Sequence, residues 1–86
     1  MSNILEFPDT EISFKIKEII AHLIGVDENE IIASASFEND LGVDSLDVLE
    51  ILTEVEKQFK INIPDEDAEK LLTVGALTKY VKAKHS

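Results

Sequence analysis

Apolar residues in this chain of 86 recur three or four positions apart along three stretches, and no alternating run is long enough to compete. Ile12, Ile16, Ile19, Ile20, Leu23 and Ile24 make the first stripe. Val48, Leu52, Val55 and Phe59, flanked by Leu49 and Ile51, make the second, and Val74, Leu77, Tyr80 and Val81 the third. Side chains three and four apart share a face of an α-helix, whereas a half-buried strand needs a period of two. The pattern predicts an all-α chain: a small four-helix bundle of three longer helices and one short one, with a long loop between the first and second.

The ends of these helices can be read from local chemistry. Asp9 or Thr10 can cap the first, and Gly25 suits the left-handed position that closes it. Pro8 disfavours helix in the residue before it, so residues 1–8 are expected to be a lead-in and residues 9–86 a single domain. Asp44 is suited to capping a helix that begins at Ser45 and runs to about Lys60, with Asp47 in its first turn near the positive end of the dipole. Pro64 pushes Ile63 toward extended backbone, after which residues 65–69 read as a short helix, acidic at its N-terminus. Thr73 can cap the last helix, whose Lys79, Lys82, Lys84 and His85 gather toward the negative end.

Residues 26–43 form the long connection, with room for one turn of helix near 27–31. Loops of this length are usually functional or disordered, and the apolar anchors Ile31, Ile32, Phe37 and Leu41 favour the functional case.

Eight basic residues against eighteen acidic ones give a net charge of −10, which makes nucleic acid and anionic membrane surfaces poor partners and a basic protein surface a natural one. There is no cysteine, so any thiol chemistry must come from an attached group. No apolar run is long enough to span a bilayer and the start lacks the form of a signal peptide, so a cytoplasmic protein is expected.

Enzymatic use of Ser45 would need a base. The histidines are His22, expected on the surface of the first helix, and His85, beside the C-terminus, and neither suggests a triad. Asp40, Asp44 and Asp47 lack the spacing of an EF-hand, and no glycine-rich phosphate loop or metal-ligand cluster is present. The chain is therefore not expected to be an enzyme. An Asp-Ser-Leu tripeptide at a helix start is ordinarily no more than a well-capped helix. A serine there is nevertheless well placed to carry a phosphate-containing group, because the first-turn amides and the dipole suit an attached phosphodiester. On the same helix Asp47, Glu50 and Glu54 share a face, with Leu46 and Thr53 between it and Leu49; such a charged face is usually just solvated.

The run Asp40-Leu41-Gly42-Val43-Asp44-Ser45-Leu46-Asp47 resembles the prosthetic-group site of the acyl carrier proteins. Ser36-Phe37, the run from Val48 to Phe59, Ile63-Pro64-Asp65-Glu66 and Thr73-Val74 are similar to that family in order and spacing, from about Ile12 to Lys82. The resemblance implies that Ser45 is esterified by 4'-phosphopantetheine from coenzyme A, through a phosphopantetheinyl transferase, and that acyl groups ride on its thiol. It implies an acyl pocket lined by Val48, Leu52, Val55 and Phe59. It also implies partner binding through Asp44, Leu46, Asp47, Glu50 and Glu56, to fatty acid or polyketide synthesis enzymes with basic docking patches.

Two positions depart from the family pattern. Thr53 stands where many members carry a larger apolar residue, and Lys57 interrupts what is often a continuous acidic patch. The leading expectation is a monomeric carrier for dissociated, type II fatty acid synthesis. The alternatives are a dedicated carrier for polyketide, aminoacyl or specialised lipid synthesis and, from another class, a non-acylated interaction module.

Overall fold

The computed structural model describes residues 2–85, with side chains over 11–84. The chain folds as helix α1 (Ser2–Ile24), a single 3₁₀ turn (Glu28–Glu30), α2 (Ser45–Phe59), the short α3 (Asp65–Ala68) and α4 (Val74–His85). Among the described residues no strand forms, only an isolated bridge between Ser36 and Thr73. The all-α bundle and its long loop are as expected from the apolar spacing.

One core joins the three stripes. Ile12, Ile16, Ile19 and Ile20 of α1, Leu52, Val55 and Phe59 of α2, and Val74, Leu77 and Val81 of α4 are buried together, and α1 packs against both α2 and α4. The edges of the stripes differ from expectation. Ile51 is fully buried while Val48 is half-buried and Leu49 is 53% exposed. At 100° per residue Ile51 lies about 40° from Val55 and Leu49 about 120°, so Ile51 falls within the buried face of α2 and Leu49 outside it, while Val48, about 20° from Val55, lies on that face but lines an open cleft. Leu23 and Tyr80 likewise lie at the margin of their stripes, partly open to solvent.

The first helix is also longer than its caps suggested. It begins at Ser2 and continues through Pro8, so residues 2–8 of the expected lead-in are helical in backbone and Asp9 and Thr10 are interior positions, not caps. Proline has a helix-compatible φ, and what it removes is the N–H that would bond the carbonyl four residues earlier. At the other end Gly25, at φ +75°, closes the helix as expected, its N–H donating to the Ala21 carbonyl at 2.9 Å. α2 closes without glycine: Lys60 takes the left-handed conformation at φ 57°.

The long loop is an ordered part of the bundle. Ile31, Ala35, Phe37 and Val43 are buried in the common core. Its backbone is zipped to the end of the segment joining α3 and α4 and to the first residues of α4. Phe37 N–H donates to Leu72 O at 3.1 Å, Val74 N–H to Ala35 O at 3.1 Å, and Gly75 N–H to Ala33 O at 2.7 Å. These bonds satisfy one loop amide and the first two amides of α4, which burial would otherwise leave costly.

The close approach at Gly75 leaves no room for a side chain, because a Cβ there would sit 2.9 Å from the same Ala33 oxygen. Ala normally outranks Gly in a helix by about 1 kcal/mol. Here the sign is expected to reverse: Gly75→Ala should lower stability by about 1–3 kcal/mol through overpacking against backbone. Urea unfolding checks this, and an unchanged or raised midpoint would show that the zipper yields freely.

Candidate functional site

Ser45 is the first residue of α2 and is exposed. The helix start does not depend on it. Asp44 is the N-cap, with extended backbone (φ −96°, ψ −175°), and its carboxylate accepts the Asp47 N–H at 3.0 Å. The Asp47 carboxylate in turn accepts the Asp44 N–H at 3.5 Å, completing a reciprocal capping box. Serine is itself a favoured capping residue, yet here two aspartates satisfy the amides. No hydrogen bond among the described residues engages the Ser45 hydroxyl.

The turn leading into Ser45 is held from within. The Asp40 carboxylate accepts the Ser36 N–H at 2.7 Å, and Ser36 Oγ accepts the Asn39 N–H at 3.2 Å. Gly42 then turns the chain at φ +66°, a conformation that other residues adopt only with strain. Val43 re-enters the core, its N–H donating to Phe37 O at 3.0 Å. Asp40 is thus a strut of the turn, and Ser45 is presented by a rigid loop at the end of a capped helix.

Beside Ser45 opens a cleft of about 680 Å³. Phe37, Val48, Leu49 and Leu52 form one wall, and Ala68, Leu71 and Leu72, from α3 and the turn after it, form the other. Glu38, Asn39, Asp65 and Glu69 stand at its polar margin. Val48 and Leu52, expected at an acyl pocket, lie on this wall; Val55 and Phe59 are buried in the core further along α2 and do not line it. Leu72, 65% exposed, went unnoticed in the sequence, although an apolar pair between two short helical segments was a signal that could have found it.

Two side chains moor the segment carrying α3. The Glu56 carboxylate accepts the Ile63 N–H at 2.7 Å, and the Tyr80 hydroxyl donates to the Asp67 carboxylate at 2.6 Å. That hydrogen bond, then burial, then the negative charges of Asp67 and Glu56 push the Tyr80 hydroxyl up to about 12 from its ordinary value near 10. The protonated form is the one stabilised by folding, so the contribution is complete below pH 10 and is lost as pH rises toward 12. Tyr80 is the single tyrosine, so tyrosinate absorbance reports it alone. Alkaline titration should give a midpoint well above 10, and Asp67→Ala should bring it back toward that value. A midpoint indifferent to Asp67→Ala would mean that this mooring is not formed.

The acidic positions of α2 divide between two sides. Leu46 is 71% exposed beside Glu50, with Asp44 and Asp47 at the helix start. Glu56 lies about 120° around the helix from Glu50. It is therefore not continuous with Asp47 and Glu50, and one of its oxygens is engaged by Ile63. Glu54 accepts the Gln58 amide at 2.9 Å. His22 is exposed on α1, and the side chain of His85 lies outside the described residues. Among the described residues no three His, Cys, Asp or Glu converge as metal ligands, and no helix is long and apolar enough to cross a membrane.

The family described as "Phosphopantetheine attachment site" matches residues 15–81, a span that includes the turn, Ser45 and both walls of the cleft. The acyl carrier protein of Karelsulcia muelleri (strain GWSS) is 54% identical over 72 residues, covering 84% of this chain and 87% of that protein. This chain belongs to the acyl carrier proteins. The solved structure of acyl carrier protein from Enterococcus faecalis overlays with a TM-score of 0.76 at 33% identity, covering 88% of this chain and 96% of that one. Acyl carrier proteins are carriers and not enzymes, and membership implies a covalently attached phosphopantetheine group. The residues present fit such a group: an exposed hydroxyl with no role in capping, at the mouth of an apolar cleft.

Proposed function

We propose that Ser45 is the residue that carries phosphopantetheine, transferred from coenzyme A by a phosphopantetheinyl transferase, and that the chain serves type II fatty acid synthesis as a cytoplasmic monomer. The observation that carries this reading is the Ser45 hydroxyl, exposed at the first turn of α2 beside the cleft and free of any capping duty. When bound, the group supplies the terminal thiol on which acyl cargo is held as a thioester.

The chain's own residues do the rest. The amides and dipole at the start of α2 favour a phosphodiester on Ser45. Phe37, Val48, Leu49, Leu52, Leu71 and Leu72 offer an apolar chain a surface out of water, worth about 0.8 kcal/mol for each methylene buried. Asp44, Asp47 and Glu50, with Leu46 among them, form the face offered to basic partner enzymes. Glu56, expected with them, would contribute through its charge from the adjacent side while mooring Ile63. Long-range attraction of this kind speeds encounter and fades with salt.

Reconstituted elongation tests the pathway. The loaded chain is expected to accept a malonyl group from the transacylase of a dissociated fatty acid synthase and to support condensation by its ketosynthase. Loading only by a polyketide or aminoacyl-activating enzyme would assign it instead to specialised synthesis, to which Thr53 and Lys57 would then be adaptations. Purification as a stoichiometric complex of unmodified chain would favour the interaction module.

A further inference from the structure

The acidic face of α2 does not end at that helix. Leu23, on the last turn of α1 and 37% exposed, closes a recess of about 470 Å³ against Leu46, Leu49, Glu50, Thr53 and Glu54. Its floor is apolar: Leu46 and Leu49 are the most exposed apolar residues of α2, at 71% and 53%. Thr53 keeps it open, because its short side chain folds back, the hydroxyl donating to Leu49 O at 2.8 Å. A second recess shares Leu23 and Glu54 and adds Glu18, Asp27 and Glu28. No lysine lines either one. An apolar seat surrounded by carboxylates is thus built jointly by α1 and α2.

The geometry points to Leu23 as a partner-docking residue: the seat between α1 and α2 receives one aliphatic or aromatic side chain of a modifying or synthesis enzyme, set among that enzyme's lysines and arginines. This rests on the reading of the α2 face as the docking surface, with which the seat is continuous. Charge selects the occupant. A second copy of this chain would bring a net charge of −10 against the same carboxylates, whereas a basic enzyme surface is complementary to them. Apolar side chains seated in a pocket and ringed by polar contacts are where binding energy concentrates.

Steady-state loading by a phosphopantetheinyl transferase, with coenzyme A as donor, reads this out. Leu23→Ala is expected to raise KM for the carrier by roughly three- to tenfold with kcat unchanged, as truncation of a central contact does. Thr53→Leu fills the seat from within and is expected to raise KM as well, although it adds apolar area. Phe14 is the control: it is 56% exposed on the same helix but lies about 180° away from Leu23, and Phe14→Ala should leave KM unchanged.

A KM unchanged in Leu23→Ala, or lowered in Thr53→Leu, would overturn the seat. So would a wild-type dimer that Leu23→Ala dissociates, since it would give the recess to a second copy. Continued loading of Ser45→Ala would instead overturn the attachment reading, and the two failures are thereby distinguished.

Discussion

Phe37→Ala is expected to remove about 3–5 kcal/mol of folding stability, the cost of deleting a buried aromatic side chain and leaving a cavity. Phe37 is 2% exposed and is among the largest fully buried side chains, although it belongs to the loop and not to a helix. Its backbone is tied at both groups, to Leu72 and to Val43, and alanine keeps those bonds, so the loss isolates the side chain. A small domain has about 5–15 kcal/mol in total, and the variant should therefore be partly unfolded at modest urea concentrations. Ile32→Ala, at a loop position 55% exposed, should fall within about 0.5 kcal/mol of wild type. Urea melts followed by circular dichroism compare the two; similar midpoints would mean that the loop does not share the core.

The second large effect is chemical. Ser45→Ala should abolish phosphopantetheine addition completely while leaving the fold intact. Capping belongs to Asp44 and Asp47, no described hydrogen bond uses the Ser45 hydroxyl, and alanine is a better helix former than serine. Stability should stay within about 0.5 kcal/mol of wild type. Asp44→Ala should behave in the opposite way: it loses about 1 kcal/mol with the cap, yet still accepts the group at saturating transferase because the hydroxyl is present, with KM raised by the lost docking charge. An Ser45→Ala chain that unfolds would show that the serine has a structural role not visible in its contacts.

The parts of this molecule legible in the sequence are those whose causes are local. Asp44 as a cap, Ser45 as the first helical residue, Gly25 as a helix stop and Thr73 ahead of α4 follow from neighbours within a turn. Thr73 Oγ1 accepts the Ala76 N–H at 3.1 Å, as such a cap should. Apolar spacing was enough for the helices and most of the core. The resemblance of the Ser45 motif to the acyl carrier proteins supplied the family, which the matched family and relative then showed.

What was not legible depends on pairs distant in the chain. The mooring of Tyr80 to Asp67, the Glu56 bond to Ile63 and the zipper between residues 33–37 and 72–75 have no signature in either partner alone. The same is true of Leu71 and Leu72, which become a cleft wall only once α3 is placed over α2. Leu23 falls on the apolar stripe of α1 yet is partly open, because periodicity identifies a face without saying where its edge meets solvent. The start of α1 differs from expectation for another reason: Pro8 is a strong local signal, and the helix runs through it.

Fragmentation mass spectrometry of the chain, after incubation with coenzyme A and a phosphopantetheinyl transferase, tests the attachment at Ser45 most directly. A single phosphopantetheine is expected, with fragment ions placing it on Ser45. No addition under conditions that load another acyl carrier protein, or addition at Ser34, Ser36 or Thr53, would contradict it.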